Sequence, residues 1–160
     1  MRLAAMLAPL FMVLLSSAVH AQPPLLAQSA GGAAIGFQGG VSIDPEQVYG
    51  GVFWQSPPLG GRFHLRPGID GGSGSDRRLA AINIDFIARF PLGDSGWHLV
   101  QGGGPVIVIT RIPALGVSDT SAGGSYVLGF SHDRGFFTEF RIGGGNVPNL
   151  KIGAGYQVAF

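Results

Sequence analysis

Residues 151–160, Lys-Ile-Gly-Ala-Gly-Tyr-Gln-Val-Ala-Phe, place an apolar side chain at every second position: Ile152, Ala154, Tyr156, Val158 and Phe160. A period of two is the signature of a strand with one apolar face, because successive side chains of an extended chain point to opposite sides. A helix cannot use this pattern, since its apolar stripe needs a period near 3.6. The alternation runs unbroken to an aromatic residue, as if the final strand closed a larger sheet rather than fraying.

The same period recurs upstream. Residues 33–43 put Ile35, Phe37, Val41 and Ile43 on one face, opposite Gln38 and Ser42. After the turn signal Asp44-Pro45-Glu46, residues 47–55 align Val48, Val52 and Trp54. Residues 62–70 set Phe63, Leu65, Pro67 and Ile69 against Arg62, His64, Arg66 and Asp70. Pro67 predicts a bulge or an early strand end there, since proline cannot donate to a ladder. Residues 71–78 read as a Gly/Ser-rich polar loop. Residues 79–90 set Ile82, Ile84, Phe86, Ala88 and Phe90 against Asn83, Asp85, Ile87 and Arg89. Residues 97–110 carry Trp97, Leu99, Ile107 and Ile109 opposite His98, and Gly102-Gly103-Gly104-Pro105 is expected to interrupt them as a bulge. Residues 112–120 read as irregular. Residues 121–131 align Tyr126, Leu128 and Phe130, and residues 136–143 set Phe136, Thr138, Phe140 and Ile142 against Phe137, Glu139 and Arg141. With residues 151–160 this makes eight antiparallel strands, short connections and no helix. An even count brings the last strand back to the end where the first began.

Composition decides which kind of β structure this is. Only 12% of residues are charged, against about 25% in soluble domains, while 46% are hydrophobic and 28 are glycine. Beyond the N-terminal segment no apolar run approaches the roughly 18 residues of a spanning helix. A transmembrane barrel reconciles these figures, because its lipid face needs only alternate residues to be apolar. Most of the runs approach the 9–11 residues of a tilted spanning strand. Charges of both signs fall on the opposite faces, where they can pair in a narrow lumen. With the first strand running outward from the periplasm, Trp54, Phe63, Phe90, Trp97, Phe130, Phe136 and Phe160 fall at the periplasmic ends on the lipid face, a girdle of the kind expected at a membrane interface. Tyr126 is the best candidate for the far girdle. Alternation by itself also suits a soluble, lipocalin-like periplasmic carrier with its apolar faces turned inward.

The N-terminus carries the export signal this reading needs. Arg2 supplies a positive start, residues 3–15 are apolar, and residues 16–21 form a small-residue tail with Val19 and Ala21 before the expected cut. Residues 1–21 are therefore expected to be a cleaved signal peptide, residues 22–32 a flexible periplasmic lead-in, and residues 33–160 the barrel. With Arg2 removed, the ten Lys and Arg become nine and balance the nine Asp and Glu. Nothing in that balance suggests nucleic acid. The chain has no cysteine, so the exported domain must hold together without disulfides.

The mature chain resembles the small eight-stranded outer-membrane barrels of the OmpA/OmpX and opacity-protein type. The resemblance is carried chiefly by Gly135-Phe136-Phe137-Thr138-Glu139-Phe140-Arg141-Ile142-Gly143, a short loop, and residues 151–160, which look like that family's closing hairpin. It departs from the family in its short outer loops, and no peptidoglycan-binding domain is expected within residues 33–160. The resemblance implies residence in the outer membrane of a Gram-negative bacterium, contact with outer-membrane lipid, and reading of the strand that ends in Phe160 by the barrel-assembly machinery. It leaves a surface partner unidentified.

Three roles follow for such a barrel. The first is structural or surface-interacting, with ion pairs plugging the lumen; same-face neighbours Arg66 and Asp70, Asp85 and Arg89, and Glu139 and Arg141 supply them. The second is a narrow passive diffusion channel. The third is a lipid-modifying hydrolase of the lipid A deacylase kind, for which Ser131, His132 and Glu139 are the available set. Ser131 and His132 are adjacent and should point to opposite faces of a strand, so no catalytic residue is expected. His64 and His98 lack a second ligand at metal spacing, so no metal or cofactor is expected either. Gly102-Gly103-Gly104 is not followed by the Lys-Ser/Thr of a phosphate loop; such glycines let a barrel strand bend or approach its neighbours.

Overall fold

The computed structural model describes residues 32–160. The signal-peptide expectation and nearly all of the proposed lead-in lie outside these residues. Eight strands form a closed antiparallel barrel in sequence order: β1 (Ala34–Ile43), β2 (Glu46–Gln55), β3 (Phe63–Ser73), β4 (Arg78–Pro91), β5 (Trp97–Ile112), β6 (Val117–His132), β7 (Phe136–Gly145) and β8 (Leu150–Ala159). β8 closes on β1, with Ile35 opposite Val158 and Val41 opposite Ile152. Closure leaves no strand edge without a partner. The end where β1 starts and β8 finishes is the terminal end; the opposite end is the far end.

The faces are sorted as the alternation expects. Phe37, Val52, Ile69, Phe86, Ile107, Phe140 and Val158 are all exposed on the outside. The inner face buries His64, Arg66, Asp70, Asp85, Glu139, Arg141 and Lys151. This overturns the lipocalin-like alternative, which needs the apolar faces inside. Trp54, Phe63, Trp97, Phe130, Phe136 and Phe160 are exposed toward the terminal end, with Phe90 half-exposed beside them. Tyr126 does not belong to a far-end girdle. It sits in mid-strand opposite Gly103 and Ile142, and its hydroxyl donates to Gln101 Oε1 at 3.3 Å.

Pro67 produces neither a bulge nor an early end. β3 keeps one register against β4 from Phe63↔Ala88 to Ser73↔Arg78, and proline costs it only ladder on the β2 side, where pairing stops at Phe53↔Gly68. Ser56 restores that seam: its amide donates to Leu65 O at 2.9 Å and its hydroxyl accepts from Leu65 N at 3.0 Å. The His64 ring adds a contact at 2.8 Å from Nδ1 to Ser56 O. Likewise the Gly102–Pro105 stretch is not a bulge. β5 keeps one register along its whole length against β6, from Trp97↔His132 to Ile112↔Val117. Toward β4 the pairing lapses only between Asn83↔Val106 and Phe86↔Gly103, then resumes in the same register. The glycines serve close approach instead: a Cβ on Gly102 would collide with the Phe86 carbonyl oxygen, and one on Gly104 with that of Ile84.

Two expected loops are about half strand. β3 continues through Gly71-Gly72-Ser73, and β4 already begins at Arg78. Residues 117–120 are paired with β5, so β5 and β6, 16 residues each, form a hairpin that outreaches its neighbours. β7 meets β6 only from Gly123 onward, so these extra residues face no core and carry no alternation. Arg62 stands just before β3, outside the lumen, with its guanidinium carbon 5.5 Å from the Phe90 ring centre.

Candidate functional site

The lumen is the candidate site, since every ionisable side chain buried by the fold points into it. Each strand that contributes one does so at an inward position fixed by register, and the charges meet across the barrel rather than along a strand. Asp85 on β4 accepts both guanidinium nitrogens of Arg141 on β7, at 3.0 and 2.8 Å. Arg141 also donates to Ser125 on β6 at 3.0 Å. Arg66 on β3 lies 3.6 Å from Asp85 and 2.5 Å from Glu139 on β7. Its guanidinium sits 4.9 Å from the Phe53 ring centre, and Phe53 packs edge-on against Phe137.

A second cluster is centred on Asp70. Its two oxygens accept from Gln38 at 2.7 Å, Asn83 at 2.9 Å and Lys151 at 3.2 Å. The Lys151 ammonium also lies 4.9 Å from the Tyr49 ring centre. Three acids and three bases thus neutralise one another in a region where a buried unpaired charge would be costly. The same-strand pairs expected from sequence do not form. The hydrogen-bond and ion-pair partners of Asp70, Asp85 and Glu139 all come from other strands, because inward residues converge across a narrow lumen.

Above the charges toward the far end, Leu79 and Ala81 of β4, Val106 and Val108 of β5, and Val147 of the β7–β8 loop form a buried apolar cluster. That loop is drawn over the opening by Asn149, whose side chain donates to Asp44 Oδ2 at 2.6 Å, and by Ser121, whose hydroxyl donates to Asn146 O at 2.7 Å. The space remaining among Gln55, Arg66, Ile87, Ser131 and Glu139 is about 10 Å³, no more than the size of one water.

The hydrolase set is not brought together. Ser131 points inward and is 4% exposed, with no hydrogen-bond partner for its Oγ among the described residues. His132 lies on the other face, edge-on to Trp97 at 4.9 Å, and its Nδ1 accepts from the Arg134 amide. Glu139 is engaged by Arg66. His98 hydrogen-bonds Asp133 at 2.7 Å, which His64 and its Ser56 contact do not approach as a shared ligand set.

Comparison with solved structures fixes the architecture. The N-terminal β-barrel domain of Pseudomonas aeruginosa OprF superposes with a TM-score of 0.63 at 14% identity, over 81% of this chain and 99% of that one. The fold is that of this OprF barrel domain. The attachment invasion locus protein Ail of Yersinia pestis also matches, with a TM-score of 0.43 at 12% identity, over 79% of this chain and 96% of that one. No protein-family model and no curated protein matches the sequence. At such identity the barrel is a common architecture and not a shared activity.

Proposed function

We propose that this chain is an integral outer-membrane barrel whose lumen is plugged, and that its role is structural or surface-interacting rather than conductive or catalytic. The observation that carries the reading is the inverted distribution of polarity. Phe37, Phe63, Phe86 and Phe136 are each more than half exposed, at 57%, 57%, 59% and 59%, while Asp70 and Asp85 are 1% exposed. In water that arrangement exposes a continuous apolar belt far larger than the patches soluble proteins tolerate. In a bilayer the belt meets hydrocarbon and the strands satisfy their own backbone groups.

The aromatic residues at the terminal end then face the periplasmic interface, and the β5–β6 hairpin stands on the outer side. The plug has two layers in this reading: the neutral ion-pair network, and the apolar cluster capped by Val147. Export through a signal peptide in residues 1–21 belongs to the same proposal. So does recognition of β8, with Tyr156, Val158 and Phe160 on its outer face, by the assembly machinery. A planar-bilayer recording on refolded protein tests the plug. The expected trace is silent; discrete channel steps from the unmodified protein would replace the plugged reading with the narrow channel.

A further inference from the structure

The outer surface holds a feature that neither barrel closure nor a lumen plug requires. Because β1 to β4 pair in fixed register, their outward residues form rows across the strands. One row is Gly39, Gly50, Gly71 and Ala80, each the direct cross-strand partner of the next. The row nearer the terminal end is Phe37, Val52, Ile69 and Ile82. The row nearer the far end is Val41, Val48, Ser73 and Arg78. Large side chains therefore border most of a shallow trough, one residue wide, that crosses four strands.

Packing within the chain does not explain the glycines in it. A Cβ on Gly71 would have no heavy atom within 4 Å, and on Gly39 or Gly50 it would meet only a carbonyl oxygen at 3.6 or 3.7 Å. This contrasts with inward Gly36, Gly51, Gly102 and Gly153, where a Cβ would collide. Glycine inside a strand costs roughly 0.5–1 kcal/mol against alanine, so the trough is maintained against a local penalty.

The charge at its β4 end indicates what it holds. Arg78 is directly opposite Arg111 of β5, and both are exposed on the outer face. Like charges directly opposite one another destabilise a sheet. Among the described residues neither arginine has an acidic partner, whereas neighbouring Arg77 pairs with Asp76 at 3.3 Å. Two guanidinium forks a strand apart match a phosphate, which accepts from both. Among the outward strand positions of the described residues the only acid is Glu46, on β2, so a second copy of this surface has little to offer the pair.

We infer that Arg78 and Arg111 bind a phosphate on the headgroup of an outer-leaflet glycolipid, one of whose acyl chains follows the glycine trough. This rests on the outer-membrane reading proposed above. The test is native mass spectrometry of detergent-folded protein titrated with lipid A, with dephosphorylated lipid A, and with inorganic phosphate. The expected result is one lipid A per barrel. The R78S/R111S variant and loss of the phosphates should each weaken binding by about tenfold or more, and the trough-filling G50L/G71L variant should also weaken it. Heat-shifted gel mobility confirms that each variant is folded. Unchanged affinity in R78S/R111S overturns the inference. Inorganic phosphate binding as tightly as lipid A would reduce the site to a free-anion site, and lipid-independent dimers abolished by G50L/G71L would assign the trough to a second copy. Insertion of every variant into bilayers without phosphate-dependent lipid binding defeats this inference alone; failure of the unmodified protein to insert defeats the membrane reading beneath it as well.

Discussion

Asp85 joins two arginines from different strands, Arg66 and Arg141, so its removal leaves two buried guanidinium groups without the carboxylate they share. Asp85→Ala should cost about 3–5 kcal/mol, as expected for breaking one side of a buried pair, read as a lower denaturant midpoint for unfolding from vesicles. The double variant Asp85→Ala/Arg141→Ala should lose less than the two single losses combined, since deleting both members removes an orphaned charge. Ser56 matters for a different reason. Ser56 is 4% exposed, and its hydroxyl accepts the Leu65 amide next to the ladder gap left by Pro67. Ser56→Ala should cost about 1–2 kcal/mol through the half-buried Leu65 amide left without its partner, in the same unfolding measurement. Sequence identified the charged residues of the lumen but not their pairing: a strand pattern specifies a face, and only cross-barrel register specifies the partner.

Strands are where the sequence was most legible. All eight were visible because one face meets a different environment from the other, and their bounds differ by a few residues except around β3–β4 and β5–β6. Those exceptions share a cause. Residues 117–122 extend past β7 and face no core, so no alternation marks them. Val106 and Val108 are buried inside while Ile107 and Ile109 are exposed outside, so apolar residues on both faces erase the period that would have revealed the inner cluster. The glycine runs were expected to be a loop and a bulge because composition cannot distinguish a turn from glycine inside a strand, whether it sits there in open space, as Gly71 does, or at a close strand approach, as Gly102 does. A pair of substitutions separates those roles. Gly102→Ala should lose about 1–3 kcal/mol by forcing a Cβ onto the Phe86 carbonyl. Gly71→Ala, with open space around it, should leave stability unchanged or raise it by up to about 1 kcal/mol. Equal losses in the two unfolding curves would contradict the assignment of inner and outer glycines.

For the whole molecule, the balance of apolar outside and charged inside governs every other conclusion. A closed barrel satisfies its backbone hydrogen bonds internally, which is what a hydrocarbon environment demands. The neutral lumen charge, the Val147 cap and the loop ties at Asn149 and Ser121 make a closed plug only if the outer face is the lipid face. The most direct measurement is electrophoretic mobility of the membrane-extracted protein with and without boiling in SDS, paired with cell fractionation. The inside-out polarity predicts resistance to unboiled SDS, a mobility change on heating, and recovery with the outer membrane. A single heat-independent band, with the protein in the soluble periplasmic fraction, would contradict it.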